Sequence, residues 1–327
     1  MDQFPRFTAP SLLRNAHVMT LVPRYWRRGS LLNGIPVEPR LFTVEPQTQL
    51  LGHCHWQPDR NACPTVVLLH GLEGCSESHY MHGIASKAYR AGLNVIRMNQ
   101  RTCGGTEHLT PTLYNSGLSG DFRTIVQELA GKDGLSHIWL VGYSMGGNLI
   151  LKAAGELGRS TPGLAGAIAI CPNIDPTQCV IELERPGNWI YHRHFLSRLK
   201  ARLRRKAACL PGKWDLTGLD RISRISVFDN RYTAPDGGYR NAAEYYDRSG
   251  ARHVLASIAV PTTIITAQDD PFIPYPMFLI PSLRRNPAIR LIAPRHGGHC
   301  GFFQWQREGE DRFWVENRIV DVILGRW

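Results

Sequence analysis

Nowhere in the 327 residues does an apolar run approach the roughly 18 needed to cross a bilayer. The opening stretch, MDQFPRFTAPSLLRNAHVMTLVP, lacks the basic, then apolar, then small-residue order of an export signal. The eight cysteines (Cys54, Cys63, Cys75, Cys103, Cys171, Cys179, Cys209 and Cys300) are scattered and include no Cys-x-x-Cys pair, so reduced thiols are expected. These absences together predict a soluble, cytoplasmic chain. Neither G-x-G-x-x-G nor a phosphate loop occurs, so no nucleotide cofactor is expected. Lysine is scarce: of 38 basic residues only 6 are lysine and 32 are arginine. Set against 27 acidic residues this leaves a formal charge of +11. Such a charge invites an anionic partner, but no nucleic-acid motif accompanies it, and no nucleic-acid role is expected.

What is present is enough apolar material, 43% of residues, to bury a large core without disulfides or metals. From residue 65 onward, short β-rich runs alternate with helical patterns. TVVLLH (65–70), LNVIRMN (93–99), HIWLVGYS (137–144) and AGAIAICPN (165–173) read as strands, and residues 77–91, 117–131 and the NLILKAAGEL stretch as helices. Continuous β-branched runs such as TVVLLH suit strands covered on both faces. The alternation resumes with TTIITAQ (262–268) and IRLIAP (289–294), and a helix over about 308–324 closes the chain. Residues 38–58 supply edge strands. This pattern predicts an α/β class: a mostly parallel sheet flanked by helices. Residues 174–256 break it with RPG, PGK and PDGG turns and the basic run YHRHFLSRLKARLRRKA, and read as an inserted helical cap. The expected division is thus a core of 1–173 and 257–327 and a cap of 174–256.

The chemistry centres on Gly142-Tyr143-Ser144-Met145-Gly146, a G-x-S-x-G sequence at the end of a strand and the start of a helix. The glycines let the chain turn sharply and lift the Ser144 hydroxyl out of the sheet. A serine needs a base, and in this arrangement the order along the chain is serine, acid, histidine. His299 in His296-Gly-Gly-His299, after the last strand, is the candidate base, with His296 as fallback. Asp270 in Asp269-Asp270-Pro-Phe-Ile-Pro is the candidate acid, Asp269 a turn residue and Asp175 a more remote choice. The acid would hold the imidazole tautomer and stabilise the imidazolium. Two N–H groups must face the developing oxyanion. Met145 follows the nucleophile, and Leu72 lies in the loop after TVVLLH, which reads His70-Gly71-Leu72-Glu73-Gly74. His70 is read as a structural hydrogen-bonding residue. His53-Cys54-His55 has no evident further partner, so no metal site is expected, and His192 and His194 are read as solvated.

These motifs resemble the YheT-like branch of the α/β-hydrolases. The resemblance is carried by HGLEG (70–74), RTCGG (101–105), YNSG (114–117) with Asp121, GYSMGGN (142–148), LLRNAHVMTLVPRYWRR (12–28), DDPFIP and HGGHCGF, and runs nearly end to end. Arg101-Thr102-Cys103 stands where the branch carries arginine-glycine-cysteine. The resemblance implies the α/β-hydrolase fold and carboxylic-ester hydrolysis by Ser144, Asp270 and His299 through an acyl-enzyme, without cofactor. It implies ester substrates that range from short soluble esters to lipid acyl esters, with alcohol acyl transfer as the rival outcome and an idle ligand-binding module as a distant one. Epoxide and haloalkane hydrolysis are disfavoured, because they place an aspartate at the position of Ser144. Leu196, Leu199 and Leu203 fall on one helical stripe amid arginine and lysine. That stripe either packs a cap helix on the core or helps a basic lid make a weak association with an anionic membrane surface. Oligomeric state is left open.

Overall fold

The computed structural model describes residues 5–158 and 161–326. Eight strands form one sheet: β1 (Glu38–Glu45), β2 (Thr48–His55), β3 (Thr65–Leu69), β4 (Asn94–Met98), β5 (Ile138–Tyr143), β6 (Leu164–Ile170), β7 (Thr262–Ile265) and β8 (Ile289–Ile292). Their order across the sheet is β1-β2-β4-β3-β5-β6-β7-β8. β1 and β2 pair antiparallel, as do β2 and β4, and every later pairing is parallel. The expected class and the expected edge strands are both present.

The central strands β3, β4, β5 and β7 are buried at every position, so both faces of the sheet are covered there, whereas β1 alternates exposed and buried residues. In β3, Val66 and Leu68 join one core cluster, while Val67 and Leu69 join the other. On the first face lie α2 (His79–Arg90), after α1 (Ala16–Tyr25) in the chain, and the last helix, α8 (Trp314–Ile323). On the second lie α3 (Ser119–Gly131) and α4 (Met145–Leu157). The two-residue period of a strand divides a continuous apolar run between two helical layers. The last helix starts at Trp314, not at 308, because residues 303–313 double back through small antiparallel bridges, Phe303 to Phe313 and Arg307 to Glu310.

Between β6 and β7 the chain runs through α5 (Pro176–Leu183), α6 (Trp189–Cys209), a set of short turns that include a π-helical turn at Asp229–Thr233, and α7 (Ala242–Ser249). Leu196, Leu199 and Leu203 of α6 are buried and belong to the same cluster as α3 and α4. The stripe therefore packs inward. His192 is half-buried, contrary to a solvated placement: its Nε2 accepts the Ile225 N–H at 3.2 Å. His194 is half-buried as well and lies edge-on to Phe195. Asn148 of α4 fastens this region to the sheet by donating to Ser249 O (2.8 Å) and accepting from Ala251 N (2.7 Å). The Arg101–Asp121 pair of the sequence motifs is a buried two-pronged ion pair, with Nε to Oδ2 at 2.8 Å and a second contact at 2.5 Å.

Candidate active site

Parallel strands place their carboxyl ends, and the loops that follow them, on one edge of the sheet. Ser144 lies there, between β5 and α4. Its backbone is at φ 52°, ψ −117°, in the left-handed region that a residue with a side chain seldom occupies. Two close approaches hold it there. A Cβ on Gly142 would lie 2.3 Å from the Gly146 carbonyl oxygen, and one on Gly146 would lie 2.5 Å from the His70 carbonyl oxygen. The glycines of the G-x-S-x-G sequence are therefore required by packing against backbone as well as by the turn. Met145 opens α4, so its N–H is among those that the helix leaves unused.

The loop after β3 comes up beside the serine: a Cβ on Gly71 would lie 3.1 Å from Ser144 Cβ. Around Leu72 the neighbouring amides are tied back. Gly71 N–H donates to Tyr80 Oη at 3.0 Å and Glu73 N–H to Tyr114 Oη at 3.2 Å. His70 is fully buried, its Nδ1 2.8 Å from Gly71 O and its Nε2 accepting from Gln100 N–H at 3.2 Å. Burial pushes its pKa down to about 4, which keeps the ring neutral and matches a structural role.

After β7 and β8 the two Asp–His choices separate. His299 Nδ1 is 2.8 Å from Asp270 Oδ2, whose side chain is wholly buried. Asp270 Oδ1 accepts from the N–H groups of Phe272 (3.1 Å) and Ile273 (3.0 Å), so the turn fixes the carboxylate. Asp269 and His296 form a second, more exposed pair at 3.1 Å, and Asp269 Oδ1 also takes the Gly298 N–H at 2.9 Å. Asp175 caps α5 and pairs with Arg252. The His299 N–H donates to Thr20 Oγ1 of α1 at 2.8 Å. Its ring lies 4.1 Å, centre to centre, from that of Phe272.

Ser144, Met145, Leu72 and Phe272 line one pocket with about 750 Å³ of empty space, counting its mouth. The insert between β6 and β7 supplies most of the remaining wall, much of it apolar: Val180, Leu183, Phe195, Leu199 and Ile225. Polar residues of the insert, Asp229, Thr233, Tyr245 and Tyr246, line the pocket as well. Asp229 in the π-helical turn accepts from Thr233 Oγ1 (2.6 Å) and Tyr246 Oη (2.7 Å), and burial raises its pKa to about 6.

Several of these partners were not foreseen from the sequence. Glu73, next to Leu72, is buried at φ 57° and pairs with Arg202 of α6 at 2.8 Å, while Tyr114 Oη donates to its other oxygen at 2.9 Å. Arg202 also lies over the Tyr114 ring at 4.1 Å. Cys171, His299 and Cys300 place their donor atoms within 4.8 Å of one another, a set that could hold a metal ion. No spacing in the sequence announces it, since Cys171 and Cys300 are brought together only by the sheet. His55, by contrast, is engaged with Arg97 and Pro36 O.

The family model described as the alpha/beta hydrolase fold matches residues 64–304. YheT of Escherichia coli (strain K12), which carries the name of an esterase, is 32% identical over 311 residues, 94% of this chain and 90% of that protein. A mouse protein named as the phospholipase ABHD3 is 29% identical over 76% of this chain and 61% of its own length. Among solved structures, the Pyrococcus furiosus esterase Pf2001 superposes with a TM-score of 0.59 at 16% identity, covering 92% of this chain and 96% of that one, a likeness of fold. With the match to the family model spanning most of the chain and the likeness to YheT running nearly end to end, the chain belongs to the α/β-hydrolase fold family, in the branch that contains YheT.

Proposed function

We propose that this chain is a carboxylic-ester hydrolase in which Ser144 is the nucleophile, His299 the base and Asp270 the group that orients it. The observation that carries this reading is the strained backbone of Ser144 in the wall of a largely apolar pocket whose Phe272 packs against the ring of an Asp-bound histidine. His299 takes the Ser144 proton as the hydroxyl attacks the ester carbonyl. The N–H groups of Leu72 and Met145 receive the oxyanion. His299 then protonates the leaving alcohol, and an acyl-enzyme remains. Water, deprotonated by His299, releases the acid and restores the serine. The esterase name of YheT supports the substrate class, and the apolar wall from the insert supports an acyl chain of short to medium length.

Ser144→Ala is expected to lower kcat on p-nitrophenyl butyrate by at least ~10³-fold and to abolish labelling by a fluorophosphonate. Full activity in that variant would remove the proposal. Across p-nitrophenyl esters of increasing acyl length, kcat/KM is expected to peak at short to medium chains. A peak at long chains would make the enzyme a lipase.

A further inference from the structure

The cluster of Cys171, His299 and Cys300 lies outside the ester chemistry except for one member, the histidine. Cys171 follows β6 and is fully buried. Cys300 follows His299 in the chain. Both have positive φ, 44° and 60°, so the backbone bends at each to bring the two thiols together. Cys300 N–H donates to Cys171 Sγ at 3.4 Å, and the Cys300 thiol also reaches back toward Ile170 O at 3.9 Å. The three donor atoms fall within 4.8 Å of one another. A tetrahedral ion with bonds of roughly 2.0–2.3 Å holds adjacent ligands about 3.5 Å apart, so small side-chain rotations close the set.

Two thiols and an imidazole are a soft donor set, which favours zinc and cadmium over magnesium or calcium. Three protein ligands leave a fourth position for water. Cys300 also borders a second, small cavity with His79, Tyr80 and Glu316 on its wall, about 260 Å³ of empty space counting the open solvent at its mouth.

We propose that Cys171, Cys300 and His299 form an inhibitory site for a soft divalent cation such as zinc or cadmium. On binding, the two thiols lose their protons and become thiolate ligands, and the imidazole gives one nitrogen lone pair. Either nitrogen it can give is one the hydrolysis needs. Nδ1 is bonded to Asp270, and Nε2 is the nitrogen left to take the Ser144 proton. The metal-bound and hydrolytic states therefore exclude each other. Because the ion removes the base while leaving the apolar pocket open, kcat falls and KM stays. The consequence for activity rests on His299 being the base; the binding itself does not.

The test has two arms. Cadmium titrated into Ser144→Ala protein is expected to produce an ultraviolet thiolate-to-metal charge-transfer band that saturates at one ion per chain. Cys171→Ser and Cys300→Ser, compared in the same background, should each weaken that binding by about 30-fold or more. In the active enzyme, zinc or cadmium should lower kcat on p-nitrophenyl butyrate without raising KM, EDTA should restore it, and each serine variant should resist. Absence of the band, or inhibition that both serine variants retain, would overturn the site. Inhibition that excess EDTA fails to relieve would also overturn it. Failure of the serine mechanism alone would leave the charge-transfer result standing.

Discussion

Asp229 shows how one side chain sets a pH dependence. Its carboxyl titrates near pH 6 in the folded chain because burial disfavours the charged form, against 3.8 in the unfolded reference. Between those values the unfolded chain has lost the proton and the folded chain has kept it, so this group makes stability fall as pH rises. Above pH 6 the loss is complete, about 3 kcal/mol from the two values. Asp229→Asn lacks it. The stability of the variant relative to wild type, from urea melts at pH 4 and pH 7, is therefore expected to rise by about 2 kcal/mol across that interval, part of the loss being already present at pH 4. A constant difference would show that the charge is not buried as described. Gly146 illustrates the opposite constraint: Gly146→Ala puts a Cβ against backbone carbonyls at 2.5 and 2.7 Å and is expected to cost ~3 kcal/mol or more in thermal unfolding, with loss of activity. The glycines, the serine and the two aspartates were legible in the sequence because short-range turn chemistry dictates them. Asp229 was not, since its burial depends on Thr233 and Tyr246 folding over it.

Among the elements, α6 joins the insert to the loop after β3. Its leucines pack inward, and Arg202 reaches the buried Glu73 beside Leu72. Removing one partner of a buried pair leaves the other charge uncompensated, so Arg202→Met is expected to cost about 3–5 kcal/mol in urea melts. The double variant Arg202→Met, Glu73→Gln should recover part of that loss. Glu73 anchors the loop that holds Leu72, so on the proposed role of the Leu72 N–H as oxyanion donor, kcat should fall in Arg202→Met more than KM changes. If the double variant were no more stable than the single one, the pair would not be the cause. The strands and main helices of this fold followed from apolar periodicity, and their ends moved by a few residues. The insert was harder to read. Its arginine and lysine content marks it as surface, yet Arg202 and Lys206 are buried, Lys206 donating through Nζ to the Glu107 carbonyl oxygen at 2.6 Å. Charge alone does not reveal which basic residues turn inward to meet carbonyls and carboxylates from another element.

For the molecule as a whole, the charge of +11 and the inward turn of the leucine stripe act together on any encounter with a membrane. Among the described residues no helix is long and apolar enough to cross one. We expect binding to phosphatidylserine vesicles at low ionic strength that is lost by about 0.3 M salt, the response of screened charge without insertion. Co-sedimentation that persists at high salt would show that apolar side chains enter the bilayer. The site, too, is assembled from the whole chain. Thr20, in a helix outside the stretch matched by the family model, holds the backbone of His299. That contact joins residues 279 positions apart, so it forms only when both stretches are folded. On the proposed mechanism, a chain with Ser144 and Asp270 in place but without the Thr20 contact has a base whose backbone is not yet held, so hydrolysis waits for two stretches far apart in sequence to meet.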